Sequence, residues 1–151
     1  MKIINRKFSR DYQAIESFEA GIVLTGGEVK SIKEGRLKLE DSYVKFLDDG
    51  AYLVNAEIPS YRFASSQDYD PKRSRKLLLN KKEMTRLKTK LKSASGLTVV
   101  PVSCYNKGKL LKLEIALARG RKEIEKRKLE KKKEIEREGE KEVKEWIKRW
   151  G

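Results

Sequence analysis

The chain of 151 residues contains no histidine and a single cysteine, Cys104. Without histidine there is no histidine general base, no histidine metal site, and no Ser–His or Cys–His nucleophile pair. One cysteine excludes an intramolecular disulfide and a multi-cysteine zinc site. The sequence has no run of about 18 apolar residues, and its N-terminus lacks the apolar core of a secretory signal. We therefore expect a cytoplasmic protein that does not span a membrane.

Motifs that carry enzymatic chemistry are also missing. The sequence contains no Walker loop, no Rossmann glycine fingerprint and no nucleophile elbow. Several carboxylates cluster in the first third of the chain, but Asp48-Asp49-Gly50 is typical of a turn, and we interpret the group as solvated turn residues rather than a metal site. That group comprises Glu34, Glu40, Asp41, Asp48 and Asp49. We expect a protein that is not an enzyme and has no cofactor or metal.

Positive charge is abundant, with 37 Lys and Arg against 23 Asp and Glu and a net charge of +14. Residues 72–92 carry ten basic side chains against the lone Glu83, and residues 1–10 add four more basic side chains. A simpler interpretation is that these basic side chains only keep helix faces solvated. That interpretation explains residues 72–92 poorly, because nine uncompensated charges repel one another. The block predicts a polyanion partner, and nucleic acid is the usual one.

Local patterns predict a mainly β body with helices. Residues 12–24 read as a long strand with a change of face near Ala20–Gly21, and residues 28–33 read as a short helix ended by Gly35. Two hairpins follow, residues 42–57 around Asp48-Asp49-Gly50 and residues 97–117 around Asn106-Lys107-Gly108. Between the hairpins come a long loop over 59–76, a strand-like run at 76–79, and a helix that Asn80 caps and that extends to about Lys92. Six strand-like runs and two helices favour a small β-barrel, with Pro101 at an edge or bulge.

The last part of the chain differs from the body in composition. Residues 121–151 contain 13 basic and 9 acidic residues and read as a helix that frays or is disordered when free. The sequence therefore predicts a body over 1–120 and a charged tail over 121–151. An apolar face formed by Val143, Trp146, Ile147 and Trp150 suggests that the end of the tail docks on a partner.

The aromatic residues fall into two predicted groups. Those at strand spacing, together with Cys104, are predicted core residues, namely Tyr12, Phe18, Tyr43, Phe46 and Tyr52. Those in the long loop, Tyr61, Phe63 and Tyr69, are candidates for stacking on nucleic-acid bases or for packing. Glu19 by itself is consistent with an ordinary strand-surface charge or with a carboxylate that accepts hydrogen bonds from bases.

Several linked motifs resemble a known family in order and spacing. They are Asn5-Arg6-Lys7, the run Phe18 to Leu24, Gly27 to Ser31, Asp41-Ser42-Tyr43, Asp70-Pro71 followed by Arg75 to Leu79, and Ala116 to Lys122. Together they resemble the small protein B family of tmRNA-binding (SsrA-binding) proteins over essentially the whole chain.

The resemblance implies a closed, OB-like β-barrel with packed helices and a basic C-terminal tail. It implies a non-enzymatic adaptor that binds the tRNA-like domain of tmRNA and reaches stalled ribosomes with elongation factor Tu, after alanyl-tRNA synthetase has charged the RNA. A monomer is expected. By the resemblance, Asn5, Glu19 and Leu78 are RNA contacts, and Lys7, Arg75 and Lys76 are phosphate contacts. Arg6, in the first of these motifs, and Asn80, directly after the Arg75 to Leu79 run, complete the predicted RNA-binding set.

In this family the tail is thought to lie as a helix in the vacant mRNA channel beside the small-subunit decoding centre. The predicted ribosome contacts are Gly120, Arg121, Lys122, Ile124, Glu125, Lys126, Arg127 and Trp146. The family commonly has His or Tyr and then Asp-Lys-Arg after the glycine, whereas this chain has Ile124-Glu125-Lys126-Arg127. Ile124 cannot stack as an aromatic ring, while Glu125, Lys126 and Arg127 keep the charges.

Other classes remain as alternatives. A general ribosomal or assembly protein of the OB type would also be basic and would not need tmRNA. A basic membrane-surface protein would account for the terminal amphipathic face. An RNA-modifying enzyme has the least support, because no catalytic constellation is present.

Overall fold

The computed structural model describes residues 1–62 and 68–150, and leaves out the side chains at positions 123, 142, 143, 145, 146, 149 and 150. Seven strands and four helices follow one another in these residues. In order they are β1 (Lys2–Ile4), α1 (Phe8–Asp11), β2 (Tyr12–Ile22), α2 (Gly26–Lys33), β3 (Tyr43–Leu47), β4 (Gly50–Val54), β5 (Arg75–Leu78), α3 (Lys81–Ser93), β6 (Leu97–Lys107), β7 (Leu110–Gly120) and α4 (Glu123–Trp150). The chain divides into two compact units, a body over Met1–Gly120 and a tail over Arg121–Gly151.

The strands of the body form one antiparallel sheet in the order β1-β6-β7-β2-β5-β4-β3. The prediction of a mainly β body with helices is confirmed, but the prediction of a closed barrel is wrong. Closure would require a ladder between the two edge strands, and no ladder joins β1 to β3 within the described ranges. The reason is local: β1 has only three residues, and the segment before β3 pairs instead with Glu57, through an isolated bridge at Lys38.

The strand predictions hold in outline. Both hairpins are present, as β3–β4 and β6–β7, and the ladder between β6 and β7 shifts register between Pro101 and Ser103, so Pro101 lies at a bulge as expected. The long strand β2 is also present, but its irregularity lies between Ala14 and Glu16 rather than near Ala20–Gly21. Strand β1 was not predicted, because three residues are too few to show alternation.

The core lies on the inner face of the sheet and is covered by α2 and α3. Ile32 of α2 and Leu87 of α3 are fully buried there, as the helical spacing predicts. Cys104 is buried, so its assignment to the core is confirmed. Of the aromatic residues predicted to be in the core, Phe18 is buried, whereas Tyr43 is exposed on the outer face.

Each of the two packed helices begins at a polar cap. In α3 the Asn80 side chain accepts a hydrogen bond from the Glu83 amide at 2.8 Å, as predicted. In α2 a complete capping box joins Thr25 and Glu28, in which each side chain bonds the other residue's backbone amide. This capping box was not predicted, although Thr25 and Glu28 stand at the required spacing.

The tail forms a single helix, α4, of 28 residues. At 1.5 Å per residue its length is about 42 Å. Three of its apolar side chains, Ile124, Ile135 and Ile147, are exposed, and Leu129 is half-buried. The side chains of Val143, Trp146 and Trp150, which belong to the predicted docking face, lie outside the described residues.

Within the described part of the chain, no helix is long and apolar enough to cross a membrane. The acidic residues near the β3–β4 hairpin do not form a metal-binding cluster among the described positions.

Candidate nucleic-acid interface

The outer face of the sheet carries a continuous row of side chains. Backbone pairing aligns Tyr105 of β6 with Lys112 of β7, Lys112 with Gly21 of β2, and Gly21 with Leu78 of β5. The adjacent positions on these strands, Cys104, Leu113, Ala20 and Leu77, are all buried in the core. Because side chains alternate along a strand, the aligned row faces outward.

Leu78 projects from this outer face and is 57% exposed. A Cβ atom on Gly21 would lie only 3.2 Å from the Leu78 Cβ, so glycine at this position leaves room for the leucine. An exposed leucine on a polar face suits apolar contact with a base or a ribose. The structure thus places the predicted RNA contact Leu78 on an accessible surface.

Glu19 lies on the same face and has two partners from β6. The Tyr105 hydroxyl donates a short hydrogen bond to one carboxylate oxygen, and Lys107 Nζ lies 3.0 Å from the other. These two bonds hold the pKa of Glu19 below its ordinary value. Burial, together with the bond to Glu19, raises the pKa of Tyr105 to about 12. Glu19 is therefore an ionised acceptor in a fixed position.

Tyr105 and Lys107 belong to this surface, although neither was among the predicted site residues. The hairpin prediction already aligned β6 with β7, and the 97–105 run contains Tyr105 at its end. The sequence did not show that β2 pairs with β7, and this pairing brings Glu19 within reach of both side chains.

Arg75 was predicted to contact phosphate, but the structure places its guanidinium entirely inside the body, with an exposed fraction of 0%. Its Nε donates to Glu28 at 2.8 Å and its Nη1 donates to the Ala56 carbonyl at 2.8 Å. Its Nη2 donates to the Tyr69 hydroxyl at 3.0 Å. Arg75 is thus not brought to the outer face and serves instead to anchor β5.

Glu28 is the centre of that buried cluster. Arg73 forms a short ion pair with it, and the Thr25 amide donates to it at 2.9 Å. Burial alone would raise the pKa of Glu28, but the bonds from Arg73, Thr25 and Arg75 outweigh burial and lower the pKa to about 2. The cluster ties α2 to β5, and the alternation of β5 then turns Lys76 and Leu78 outward.

The two other predicted contacts near β5 lie on the surface. Lys76 is exposed and lies opposite Tyr52 in the ladder between β4 and β5. Its side chain extends over Gly50, since a Cβ atom added to Gly50 would lie 3.3 Å from the Lys76 Cε. Asn80 is exposed, and its side-chain oxygen caps α3. Lys76 is free to approach a phosphate, while Asn80 has a structural role already.

The N-terminal motif divides between the interior and the surface. Asn5 is buried, and its side-chain amide donates to the Pro101 carbonyl at the β6 bulge at 2.9 Å. Arg6 and Lys7 are exposed, and Lys7 Nζ lies 3.5 Å from an oxygen of Asp41. Asn5 therefore fixes the chain that presents the two cations.

The basic residues of α3 separate into two sets. Arg86 and Lys90 contact Glu16 of β2 at 2.9 and 3.1 Å, so these two charges are compensated. Four other lysines of α3 have no ion-pair partner in the described ranges: Lys81, Lys82 and Lys92 are exposed, and Lys88 is half-buried. Part of the uncompensated charge predicted for 72–92 is thus carried by these four lysines of α3.

Two aromatic residues of the long loop, Tyr61 and Tyr69, have partners within the protein. The Tyr69 hydroxyl donates to the Ile58 carbonyl at 2.7 Å and accepts from Arg75. The ring of Tyr61 lies below Lys30 Nζ, 5.4 Å from the ring centroid to the nitrogen. Phe63 lies outside the described residues.

Most of the predicted tail contacts lie at the start of the second unit, directly after Gly120. Gly120 is the last residue of β7, and the Lys126 amide donates to the Lys122 carbonyl at 3.0 Å in the first turn of α4. Ile124 is exposed, and the side chain of Trp146 lies outside the described residues. Glu125 and Arg127 belong to the first turns of α4, and Arg121 lies between β7 and α4.

Comparison with known proteins identifies the family. The model of the family described as SmpB protein matches residues 2–145. An SsrA-binding protein of Sulfurihydrogenibium sp. is 49% identical over 144 residues, with 95% of this chain and 94% of the relative covered. One of Thermosipho africanus is 42% identical, with 99% of each chain covered. A solved structure described as "tmRNA-SmpB: a journey to the center of the bacterial ribosome" matches with a TM-score of 0.67 and 41% identity, covering 81% of this chain and 85% of the other. The chain belongs to the SmpB protein family.

Proposed function

We propose that this protein is the RNA-binding adaptor of trans-translation. It binds the tRNA-like domain of tmRNA and delivers the RNA to stalled ribosomes, where nascent peptides are tagged and the ribosome is released. The observation that carries the proposal is the outer face on which exposed Leu78 lies against Gly21, beside the fixed carboxylate of Glu19 and the lysines at 76, 107 and 112. Such a face offers apolar contact, a hydrogen-bond acceptor and phosphate contacts together.

The roles of the predicted residues follow from where they lie. Leu78 and Glu19 contact nucleotides, and Lys76, Arg6 and Lys7 contact phosphates. Asn5, Arg75 and Asn80 hold the backbone that presents these side chains, because their polar groups are bonded within the protein. The protein acts as a cytoplasmic monomer and performs no catalysis itself. Elongation factor Tu and alanyl-tRNA synthetase act on the complex through tmRNA.

The tail helix α4 enters the vacant mRNA channel of the small subunit. Its mixed charges favour a solvated helix that can lie along ribosomal RNA, and its predicted contacts run from Gly120 to Arg127, with Trp146 further along. A helix of about 42 Å spans a distance that a short loop could not.

A gel-shift titration tests the body. The wild-type protein is expected to bind a tRNA-like domain tightly and with steep salt dependence, because phosphate contacts release counterions. Leu78→Asp and Glu19→Lys are expected to weaken binding at least tenfold without a change in the unfolding midpoint. Ile15→Asp is the matched control, because Ile15 is an exposed apolar residue near the β2 irregularity. Equal affinity for unrelated RNA hairpins would contradict the proposal.

A truncation tests the tail separately. Deletion of residues 121–151 is expected to leave the affinity for the tRNA-like domain unchanged, because the body is a compact unit by itself. The same deletion is expected to abolish tagging of products from messages without a stop codon. Tagging by the truncated protein would refute the role given to α4.

A further inference from the structure

A cleft of about 870 Å³ lies along the free edge of β1, between that strand and the segment that leads into β3. One side is formed by Lys2, Ile3, Ile4 and Arg6. The other side is formed by Gly35, Leu37, Lys38, Glu40, Asp41, Asn55, Glu57 and Lys72. This is the place where a closed barrel would have joined its two edges, and the open sheet leaves it as a groove of ligand size.

The β1 side of the cleft carries only positive charge, whereas the other side carries both signs, with Lys38 and Lys72 beside its carboxylates. Lys2 and Arg6 stand on the β1 side, whereas Glu40 and Asp41 stand on the other. Ile4 is more than half exposed beside them and offers an apolar surface. A ligand that suits this arrangement carries a negative group, a flat apolar body and an edge of hydrogen-bond donors, which together describe a nucleotide.

Asp41 is the carboxylate best placed to meet such an edge. Its side chain is 72% exposed, and within the described residues its one ion pair is the 3.5 Å contact with Lys7, itself half exposed. The backbone at Asp41 is left-handed, with φ of 66°, and Asn55 has the same φ. The Asn55 amide donates to the Asp41 carbonyl at 3.0 Å, which links the two left-handed residues on one rim of the cleft.

We propose that this cleft receives an unstacked guanine nucleotide of the bound RNA, with Asp41 accepting hydrogen bonds from the base. The two oxygens of a carboxylate match two adjacent donors, and only guanine presents two, N1–H and N2–H, side by side on its pairing edge. Adenine and cytosine place an acceptor next to their amino group, and uracil has one imino group between two carbonyls. Arg6 and Lys2 meet the phosphate. The inference rests on the proposed RNA-binding function and names a base-recognition site for it.

The test uses the full-length protein and mononucleotides, so it does not depend on affinity for tmRNA. Amide chemical shifts are followed by NMR while guanosine, inosine and adenosine 5′-monophosphates are added in turn. GMP is expected to shift residues 2–6 and 40–41 and to bind about tenfold more tightly than AMP, because charge-assisted hydrogen bonds discriminate on this scale. IMP, which lacks the amino group at position 2, is expected to fall between them.

Asp41→Asn is the decisive variant. Asparagine is tolerated at positive φ and keeps the shape of the side chain, but its amide replaces one acceptor by a donor. The GMP preference is expected to disappear in this variant and to persist in Asp48→Asn, a control in the neighbouring turn. Equal shifts for GMP and AMP in the wild type, shifts away from the cleft, or an unchanged preference in Asp41→Asn would each overturn the inference. Leu78→Asp is expected to lose the tRNA-like domain and keep the GMP shifts, so the two proposals fail separately.

Discussion

Replacement of Glu28 by glutamine is expected to destabilise the body strongly. Glu28 is 1% exposed and accepts hydrogen bonds from Arg73, Arg75 and Thr25. Glu28→Gln would leave the fully buried Arg75 guanidinium without a counter-ion. Removal of one partner from a buried ion pair costs about 3–5 kcal/mol in the free energy of unfolding.

The pKa of Glu28 gives an independent measure of how much its ion pairs contribute to the free energy of unfolding. The native pKa of about 2 lies below the ordinary value of 4.5. A depressed carboxylate pKa contributes stability that is fully present above pH 4.5 and is lost as the pH falls toward 2. At about 1.4 kcal/mol per pKa unit, the contribution near neutral pH is about 3 kcal/mol.

Urea unfolding curves at a series of pH values between 7 and 3 measure both effects. The wild type is expected to lose stability steeply below pH 4.5, and Glu28→Gln is expected to be less stable at pH 7 and to show a shallower acid dependence. Glu34→Gln is the matched control, because its pairing with Arg62 at 3.9 Å lies at the surface and is worth less than about 1 kcal/mol. A loss below 1 kcal/mol in Glu28→Gln, or parallel acid profiles in both proteins, would refute the reasoning.

Three further predictions concern other parts of the body. Gly21→Ala is expected to weaken binding of the tRNA-like domain several-fold, since the added Cβ would displace Leu78; unchanged affinity in a gel shift would contradict this. Burial raises the pKa of the Cys104 thiol to about 11, so iodoacetamide at about pH 8 is expected to alkylate it only after unfolding, and rapid labelling of the native protein seen by mass spectrometry would show otherwise. Asn80→Ala is expected to lower the free energy of unfolding by about 1 kcal/mol, because the first turn of α3 loses its cap, whereas Asn80→Asp is expected to keep the cap. Equal urea midpoints for Asn80→Ala and the wild type would contradict the capping role of Asn80.

Features set by neighbouring residues were predictable from the sequence. The Asn80 cap, the Asp48-Asp49 turn and the bulge at Pro101 each depend on a few adjacent positions, and the structure has all three. The outward position of Leu78 also follows from alternation along β5, once Leu77 is taken as buried.

Features that depend on distant pairing were not predictable in this way. Arg75 has the appearance of one more cation in a basic block, and only the contact with Glu28, 47 positions away, shows that it is buried. Glu19 likewise acquires Tyr105 and Lys107 from a strand 86 to 88 positions later. The open edge of the sheet is of the same kind, because local patterns do not show which edge strands meet.

The position of β2 in the sheet has a consequence for the order in which the body can fold. Its long ladder pairs Glu19 with Glu114 and Tyr12 with Gly120, so the central strand waits for nearly the whole body to be synthesised. The β3–β4 and β6–β7 hairpins join neighbouring segments and can form early, whereas pairing across such a separation is slow. Until β7 is present, Phe18 and Ala20 lack the strand beside them. A chain that ends before Leu110 would therefore carry a central strand paired only at Gly21 and Ile22, with β5, and its open edge is an aggregation hazard.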